Sequence, residues 1–224
     1  MTQSVVNHRN GVKATAQVRR RPGGRLASVD GLEQVNVPGR ITFISHAPTA
    51  AVVRAAFPVD EPIEPRELEK LGLMDWIPPR ARQIYAGPEQ RTRQTANALG
   101  LNPILSAELR DLDYSSWRGR SLDDIQASNL ESVRRWLTDI ESAPHGGESV
   151  ASLLTRVDCW LAGQQYSGHT VAVTHPAVIR AAIILALGAP AQSFWRVDIP
   201  PASITDLRWT RSSWSVRCSG CQIS

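Results

Sequence analysis

The fold is decided by the stretch from Arg40 to Thr49, which reads RITFISHAPT. Its first residues are largely apolar or β-branched, a pattern typical of a buried strand. The strand stops at His46, and a proline-containing loop and a predicted helix follow. Ligands in open α/β sheets bind outside the carboxyl ends of the parallel strands, so His46 is placed for chemistry. A lone histidine at such a point is more often structural. A catalytic role for His46 therefore depends on which other residues are predicted to lie beside it.

The composition predicts one domain, or at most two. The chain has 224 residues, of which 42% are hydrophobic, and this is enough for a sizeable core. No apolar run approaches the roughly 18 to 20 residues that span a bilayer. The first residues also lack the apolar segment of a signal peptide. We therefore expect a cytoplasmic protein without membrane partners.

The positive charge is concentrated in the first part of the chain. Residues 1–39 hold six of the 25 lysines and arginines but only two of the 21 acidic residues. They show no sustained periodicity, and Pro-Gly pairs interrupt them. We interpret 1–39 as a basic, flexible leader and 40–224 as one α/β domain. A polyanion-binding arm is the alternative, but the neutral remainder argues against nucleic acid as a partner.

The three cysteines predict neither a metal site nor a disulfide framework. Cys159 falls in an amphipathic helical pattern, and Cys218 and Cys221 form a C-x-x-C motif near the C-terminus. Such a motif normally opens a helix or has a second pair of ligands, and this one has neither. The odd count argues against a secreted disulfide scaffold.

Predicted strands and helices alternate along the chain, which indicates a largely parallel α/β sheet. We expect a three-layer sandwich with a mostly parallel central sheet, helices on both faces and a C-terminal antiparallel hairpin. Within the helical region 121–140, Ser121 and Ser128 each mark a helix start, and the second matches a capping box. The predicted strands are 40–45, 81–85, 104–105, 170–174, 203–209 and 214–217; the predicted helices are 50–57, 64–71, 90–99, 121–140, 150–161 and 177–187.

Three strand ends carry groups that suit an anion. One strand stops at His46, another stops at His175, and a third runs through a Gly-Pro turn into a helix whose first turn contains Arg91. A helix N-terminus presents unpaired N–H groups, and arginine binds phosphate oxygens in a bidentate manner. Because the ends of parallel strands lie on one edge of a sheet, we expect these three side chains to converge.

These groups fit phosphoryl transfer. A neutral imidazole is a nucleophile near pH 7 and can attack phosphorus in line. A second, protonated histidine and an arginine can stabilise the equatorial oxygens. The leaving alkoxide then needs a carboxylic acid as proton donor. The local candidates are Asp111, Asp113 and Glu108.

At this point the chain resembles the histidine phosphatase superfamily, in its phosphoglycerate-mutase-like branch 1, across about residues 40–217. Five motifs occur in the family's order. They are SHAPT at 45–49, RTRQTA at 91–96, LRD at 109–111 with WRG at 117–119, GGES at 146–149, and HPAVIR at 175–180.

The resemblance implies that His46 is the phosphorylated nucleophile, that Arg91 and His175 bind phosphate, and that Asp111 is the proton donor. Glu148 is a reserve acid or a ligand for the far end of the substrate. For substrate binding we expect Ser45, Thr49, Arg54, Glu148 and Pro176.

The chain departs from the family pattern at three positions of the predicted site. Ser45 replaces an arginine, Asp111 replaces a glutamate and Pro176 replaces a glycine. Losing one preorganised donor costs on the order of 100- to 1,000-fold in rate, whereas phosphate monoester hydrolysis is accelerated by up to roughly 10²¹. We therefore expect an active enzyme whose rate is reduced by Ser45. Arg40, Arg54 or the serine hydroxyl would compensate in part for the missing arginine.

The sequence thus predicts a cofactor-independent phosphomonoesterase that acts on a small phosphorylated metabolite through a phosphohistidine on His46, with no metal. One alternative is an impaired homologue that binds an anionic ligand or partner. A phosphoglycerate mutase ranks last, because residues 50–82 offer little of an extended substrate-gripping insertion. A homodimer is left open, and no residue selects a particular substrate.

Overall fold

The structure, a computed structural model, describes residues 37–223. Its strands form one sheet, in which the four parallel strands lie together at one side and the final hairpin at the other. The strands are β1 (Val37–Ser45), β2 (Gln83–Ala86), β3 (Ile104–Leu105), β4 (Ser167–Thr174), β5 (Ser203–Thr210) and β6 (Ser213–Gln222).

The strand order is β3-β2-β4-β1-β5-β6. β1 and β2 both pair in parallel with β4, whereas β5 is antiparallel to β1 and to β6. This confirms the predicted mostly parallel sheet and its C-terminal hairpin. In the register of β1 and β4, Ser45 lies opposite Thr174, so His46 and His175 leave the sheet side by side.

The helices cover both faces of the sheet. Phe43 of β1 packs towards the helices at Val150–Ala162 and Pro176–Leu187, and Ile44, the next residue, packs towards the helices at Pro65–Gly72 and Gln90–Ala98. Successive side chains of a strand point to opposite faces, which produces this division. The three-layer sandwich is therefore confirmed. The helices are α1 (Ala50–Val53), α2 (Pro65–Gly72), α3 (Gln90–Ala98), α4 (Leu122–Thr138), α5 (Val150–Ala162) and α6 (Pro176–Leu187), with short 3₁₀ turns at Ala107–Leu109, Ser115–Trp117 and Ala191–Arg196.

Two helix predictions were wrong in detail. The helix expected over 50–57 ends at Val53, and Ala55 then has a φ of 48°, which a helix cannot contain. In α4 the capping box belongs to Ser121 and Asp124 and not to Ser128. The second helical segment restarts after Asn129, whose side chain accepts the Ser132 N–H at 3.0 Å.

β1 begins three residues before the predicted Arg40. Gly39 lies within β1. The position requires glycine, because a Cβ there would be 2.1 Å from the Gln164 carbonyl oxygen. Of the proposed leader, residues 1–36 lie outside the described residues. Between residues 37 and 223, none of the helices has both the length and the apolar character needed to cross a membrane.

Candidate active site

His46 lies directly after β1 and is only 4% exposed. Its Nδ1 is 2.8 Å from the Ala47 carbonyl oxygen. A carbonyl can only accept, so Nδ1 carries the proton and Nε2 keeps its lone pair. Burial, together with the charges of His175 and Arg91, lowers the pKa of His46 to about 3. The ring is therefore neutral at physiological pH.

His175 directly precedes the first residue of α6 and is completely buried. Its ring meets that of His46 edge to face, with 5.2 Å between the ring centroids. The Nε2 atom is 2.8 Å from Glu89 Oε2. The Nδ1 atom is 3.5 Å from Asp111 Oδ2. The two histidines predicted from the strand ends do come together.

Arg91 lies in the first turn of α3 and is 1% exposed. Its guanidinium donates to the Val59 carbonyl at 3.0 Å and to Asp111 Oδ2 at 2.8 Å. Its Nε has no hydrogen-bond partner among the described residues. The arginine is thus fixed in orientation and retains an N–H that is free to donate.

Asp111 joins this cluster as a buried carboxylate, 12% exposed at its side chain. Its Oδ1 accepts the N–H of Leu112 at 2.8 Å. Burial alone would raise the pKa of Asp111, but the charges of His175 and Arg91 outweigh it and hold the pKa below its usual range. Asp111 is therefore ionised in the empty site.

The segment that carries Asp111 is held from behind by α5. Arg156 donates to the carbonyl oxygens of Glu108 and Arg110 at 2.6 and 3.1 Å. The loop before α5 packs so closely that a Cβ on Gly147 would lie 1.9 Å from the Asp113 carbonyl oxygen. These contacts fix the backbone on both sides of the acid.

Glu148 is part of this support and not of the reacting group. Its two oxygens accept from Arg156 at 2.8 and 2.6 Å, and Arg110 lies at 3.3 Å. Its side chain is 9% exposed and lines neither of the two cavities that open beside His46 and Arg91. Its use as a reserve acid or far-end ligand stays a prediction.

Ser45 turns away from the cluster. Its buried hydroxyl donates to the Pro200 carbonyl at 2.5 Å and accepts the Ser203 N–H at 3.1 Å. The residue ties the end of β1 to the loop before β5, and it does not line the cavity beside His46. The hydroxyl is therefore not part of the cluster around His46, and a contact of Ser45 with substrate stays a prediction.

The two arginines expected to compensate for Ser45 are elsewhere. Arg54 is exposed, donates to Ala50 and lines a separate surface cleft with Glu64. Arg40 pairs with Asp206 at 2.7 Å, near the other end of β1. Neither lines the cavities beside His46 and Arg91.

Thr49 and Pro176, by contrast, line the same cavity as His46. Thr49 caps α1 and donates to Glu61 at 2.8 Å, so its hydroxyl is already engaged. Pro176 is the first residue of α6, where a proline costs no hydrogen bond. Both shape the wall of the site.

The cluster opens into two adjoining cavities, which share Asp111 and Pro58. The smaller, of about 140 Å³, is largely apolar and includes one arginine, Arg180. The larger, of about 420 Å³, is lined mostly by charged residues. The smaller is lined in part by Tyr114, Phe194 and Trp195, and the larger in part by Glu89, Arg110 and Arg118.

Sequence reasoning missed Glu89 and Arg180. Arg180 belongs to the quoted HPAVIR motif and lies one helical turn beyond the N-terminus of α6, which was an available signal. Glu89 stands two residues before Arg91, where an acidic residue is ordinarily explained by the helix dipole. Within residues 37–223, no group of three or more His, Cys, Asp or Glu side chains is arranged to hold a metal ion.

A mostly parallel sheet that brings two histidines, an arginine and a carboxylate to the ends of its strands defines a class of α/β protein with a histidine-centred site. The model of the histidine phosphatase superfamily (branch 1) matches residues 73–222. The chain belongs to this superfamily. The matched residues include Arg91, Asp111 and His175, while His46 precedes them.

Two curated relatives show sequence similarity over about half of the chain. A bifunctional protein of Mycobacterium tuberculosis is 32% identical over 131 residues, which are 54% of this chain and 35% of that protein. The chain thus spans about a third of its length. A glucosyl-3-phosphoglycerate phosphatase of Mycolicibacterium vanbaalenii is 27% identical over 164 residues, covering 59% of this chain and 72% of that one.

The fold is also found among solved structures. The alpha-ribazole phosphatase of Shigella flexneri superposes with a TM-score of 0.70 at 21% identity, over 83% of this chain and 98% of that one. The similarity confirms the arrangement of the sheet and its helices.

Proposed function

We propose that this protein is a cofactor-independent phosphomonoesterase that acts on a small phosphorylated metabolite through a phosphohistidine on His46. The observation that carries the proposal is the state of His46. Its ring is neutral, its Nδ1 is tied to the Ala47 carbonyl, and its Nε2 lone pair is free beside His175 and Arg91. This is the state that a nucleophilic imidazole requires.

In the first step, Nε2 of His46 attacks phosphorus in line as the bond from phosphorus to the ester oxygen breaks. Arg91 and His175 stabilise the charge that spreads over the equatorial oxygens. Asp111 gives its proton to the leaving alkoxide. In the second step, Asp111 as a carboxylate takes a proton from water, whose oxygen attacks phosphorus and breaks the P–N bond.

Substrate binding allows Asp111 to take up from water the proton that it later donates. In the empty site, the charges of His175 and Arg91 keep the pKa of Asp111 low. A phosphoryl group placed between these side chains competes for both positive groups and adds negative charge next to the carboxylate. The pKa of Asp111 then rises, and the acid form becomes accessible.

Arg180 supports the proposal because it offers a positive charge near His46, which Ser45 cannot offer. It lines the cavity beside His46, and its Nε is buried without a hydrogen-bond partner among the described residues. Its guanidinium carbon lies 5.9 Å from the centre of the Phe194 ring, which helps to hold it in place. In our proposal Arg180 supplies the second permanent positive charge.

The size of the cavities and the relatives favour a small substrate. The relatives include phosphatases named for glucosyl-3-phosphoglycerate and for alpha-ribazole phosphate chemistry, both small phosphorylated metabolites. The two cavities of about 140 and 420 Å³ suit a phosphoryl group with a compact leaving group.

The cytoplasmic location, a homodimer and the role of the leader stay predictions.

A screen of phosphomonoesters in the presence of EDTA tests the proposal. Wild type and His169→Asn should release phosphate from at least one member, and His46→Asn should release none. His169 is a suitable control because it is a half-buried histidine of β4 that bonds to Thr42, outside both cavities. Inactivity of the wild type across the panel would favour the binding-protein alternative. Undiminished activity of His46→Asn would exclude His46 as the nucleophile.

A further inference from the structure

Glu89 makes two contacts that do not serve its own helix. It lies at the N-terminus of α3, yet its side chain makes no capping hydrogen bond there. Instead Oε2 is 2.8 Å from His175 Nε2, and Oε1 accepts the N–H of Asp111 at 3.0 Å. One carboxylate thus connects the second histidine with the backbone of the acid.

The turn between β2 and α3 is shaped to permit this contact. A Cβ on Gly87 would lie 2.7 Å from the Leu109 carbonyl oxygen, 3.0 Å from Glu89 Oε2 and 3.1 Å from His175 Nε2. Only glycine leaves room for the carboxylate to reach the ring. The Gly87 N–H also donates to Val173 at 3.0 Å, which fixes the turn to β4.

The contact determines which nitrogen of His175 carries a proton. Burial raises the pKa of Glu89, but the contacts with His175 and the hydrogen bond from the Asp111 N–H together bring it below its usual value, so Glu89 is ionised. An ionised carboxylate can only accept, so Nε2 is the donor. The remaining nitrogen, Nδ1, is buried without a hydrogen-bond partner among the described residues and lies on the side of Asp111.

We propose that Glu89 is a positioning residue for the phosphoryl transfer: it holds His175 through Nε2, so that Nδ1 is presented to the phosphoryl oxygens, and it balances the positive charge of the protonated ring. The inference rests on the proposed function. A neutral ring in this orientation would offer a lone pair to the phosphoryl oxygens and repel them. A second proton, on Nδ1, turns that repulsion into a charge-assisted hydrogen bond, and the Glu89 carboxylate stabilises it from the opposite side.

The test compares Glu89→Met and Glu89→Gln with Glu131→Met, an exposed glutamate of α4 distant in the chain from the site. Nitrogen NMR reads the tautomer of neutral His175 in each protein, and steady-state kinetics give kcat/KM for p-nitrophenyl phosphate and the inhibition constant of inorganic phosphate. In the wild type and Glu131→Met the proton of neutral His175 should be on Nε2. In Glu89→Met it should move to Nδ1, towards Asp111.

In Glu89→Met, kcat/KM should fall about 10- to 100-fold, and inorganic phosphate should inhibit more weakly. Glu89→Gln keeps an acceptor but loses the charge, so it should retain the Nε2 tautomer with an intermediate kcat/KM. It also keeps the test decisive if Glu89→Met does not fold. An unchanged tautomer in Glu89→Met, or wild-type kcat/KM in both variants, would overturn the inference while leaving the phosphatase proposal intact. A wild type without activity but with the Nε2 tautomer would instead overturn the proposed function.

Discussion

The two histidines of the site are held through opposite ring nitrogens. His46 is bonded through Nδ1 to the Ala47 carbonyl, and His175 is bonded through Nε2 to Glu89. The free nitrogen is therefore Nε2 in His46 and Nδ1 in His175. One ring suits nucleophilic attack and the other suits binding of the phosphoryl oxygens, although both are histidines at the end of a parallel strand.

At the same scale, Asp111 can be tested through the leaving group. Asp111→Asn should lower kcat for an alkyl phosphate by about 100- to 10,000-fold, because the alkoxide then leaves without a proton. The decrease in kcat for p-nitrophenyl phosphate should be much smaller, since that leaving group hardly needs a proton. The measurement is the ratio of kcat for the two substrates, in wild type and variant.

Asp113→Asn tests the other candidate acid of this segment, which lines the larger cavity. Asp113 is bonded to Arg118 and its side chain is 44% exposed, so it should leave the ratio unchanged. Equal losses on both substrates in Asp111→Asn would assign Asp111 a structural role, through its ion pair with Arg91.

Individual side chains were predictable where the backbone alone places them. His46, Arg91 and His175 follow from strand ends and a helix start, which sequence patterns reveal. Ser45, Arg54 and Glu148 lie outside the histidine cluster because each side chain has another partner: the loop at Pro200, the surface of α1, and Arg156. Such pairings depend on distant segments, and no local pattern indicates them.

At the scale of elements, periodicity predicted the helices and strands, and the register of the sheet determines where their end residues lie. Ser45 pairs with Thr174 in β1 and β4, which sets the two histidines side by side. The end of α1 was not predicted, because it depends on a single backbone angle at Ala55. A second helix start was expected at Ser128, and the interruption of α4 lies one residue further on, at Asn129.

The end of β1 gives a prediction at this scale. Ser45→Ala removes a buried hydroxyl that serves both Pro200 and Ser203, and it should lower the free energy of unfolding by about 1–3 kcal/mol. The kcat/KM of the folded protein should stay near that of the wild type, because the hydroxyl faces away from the site. Urea unfolding and assays at low temperature measure the two quantities.

Ser212→Ala, in the exposed turn between β5 and β6, should change neither quantity. If Ser45→Ala instead left stability intact and reduced kcat/KM more than tenfold, Ser45 would belong to the reacting site.

At the scale of the whole molecule, the buried site makes stability depend on pH. His46 has a pKa of about 3 in the folded protein and about 6.5 when unfolded. Below pH 6.5 the unfolded chain gains a proton that the folded protein excludes, so stability falls as pH falls. Between pH 7.5 and pH 5 this group should cost about 2 kcal/mol.

His46→Asn cannot titrate and should lose correspondingly less stability over the same interval of pH, as measured by urea unfolding at both values. Some acid sensitivity should remain, because burial also lowers the pKa values of His145 and His169. The same dependence on pH in wild type and His46→Asn would show that His46 is protonated in the folded protein.

The α/β class and its hairpin were predictable from the order of the elements, because alternation of strands and helices permits few arrangements. The position of the acid segment was not, because it depends on contacts between segments far apart in the chain. Arg156 of α5 holds Glu108, and Gly147 packs on Asp113.

The central claim is phosphoryl transfer to His46, and trapping the phosphorylated protein tests it most directly. Wild type mixed with a reactive labelled phosphomonoester and quenched within milliseconds should carry label that is stable to base and lost in acid. Peptide mapping should locate it on His46, and His46→Asn should carry none. Equal labelling of His46→Asn, or rapid hydrolysis by wild type with no labelled protein at any time, would contradict the account.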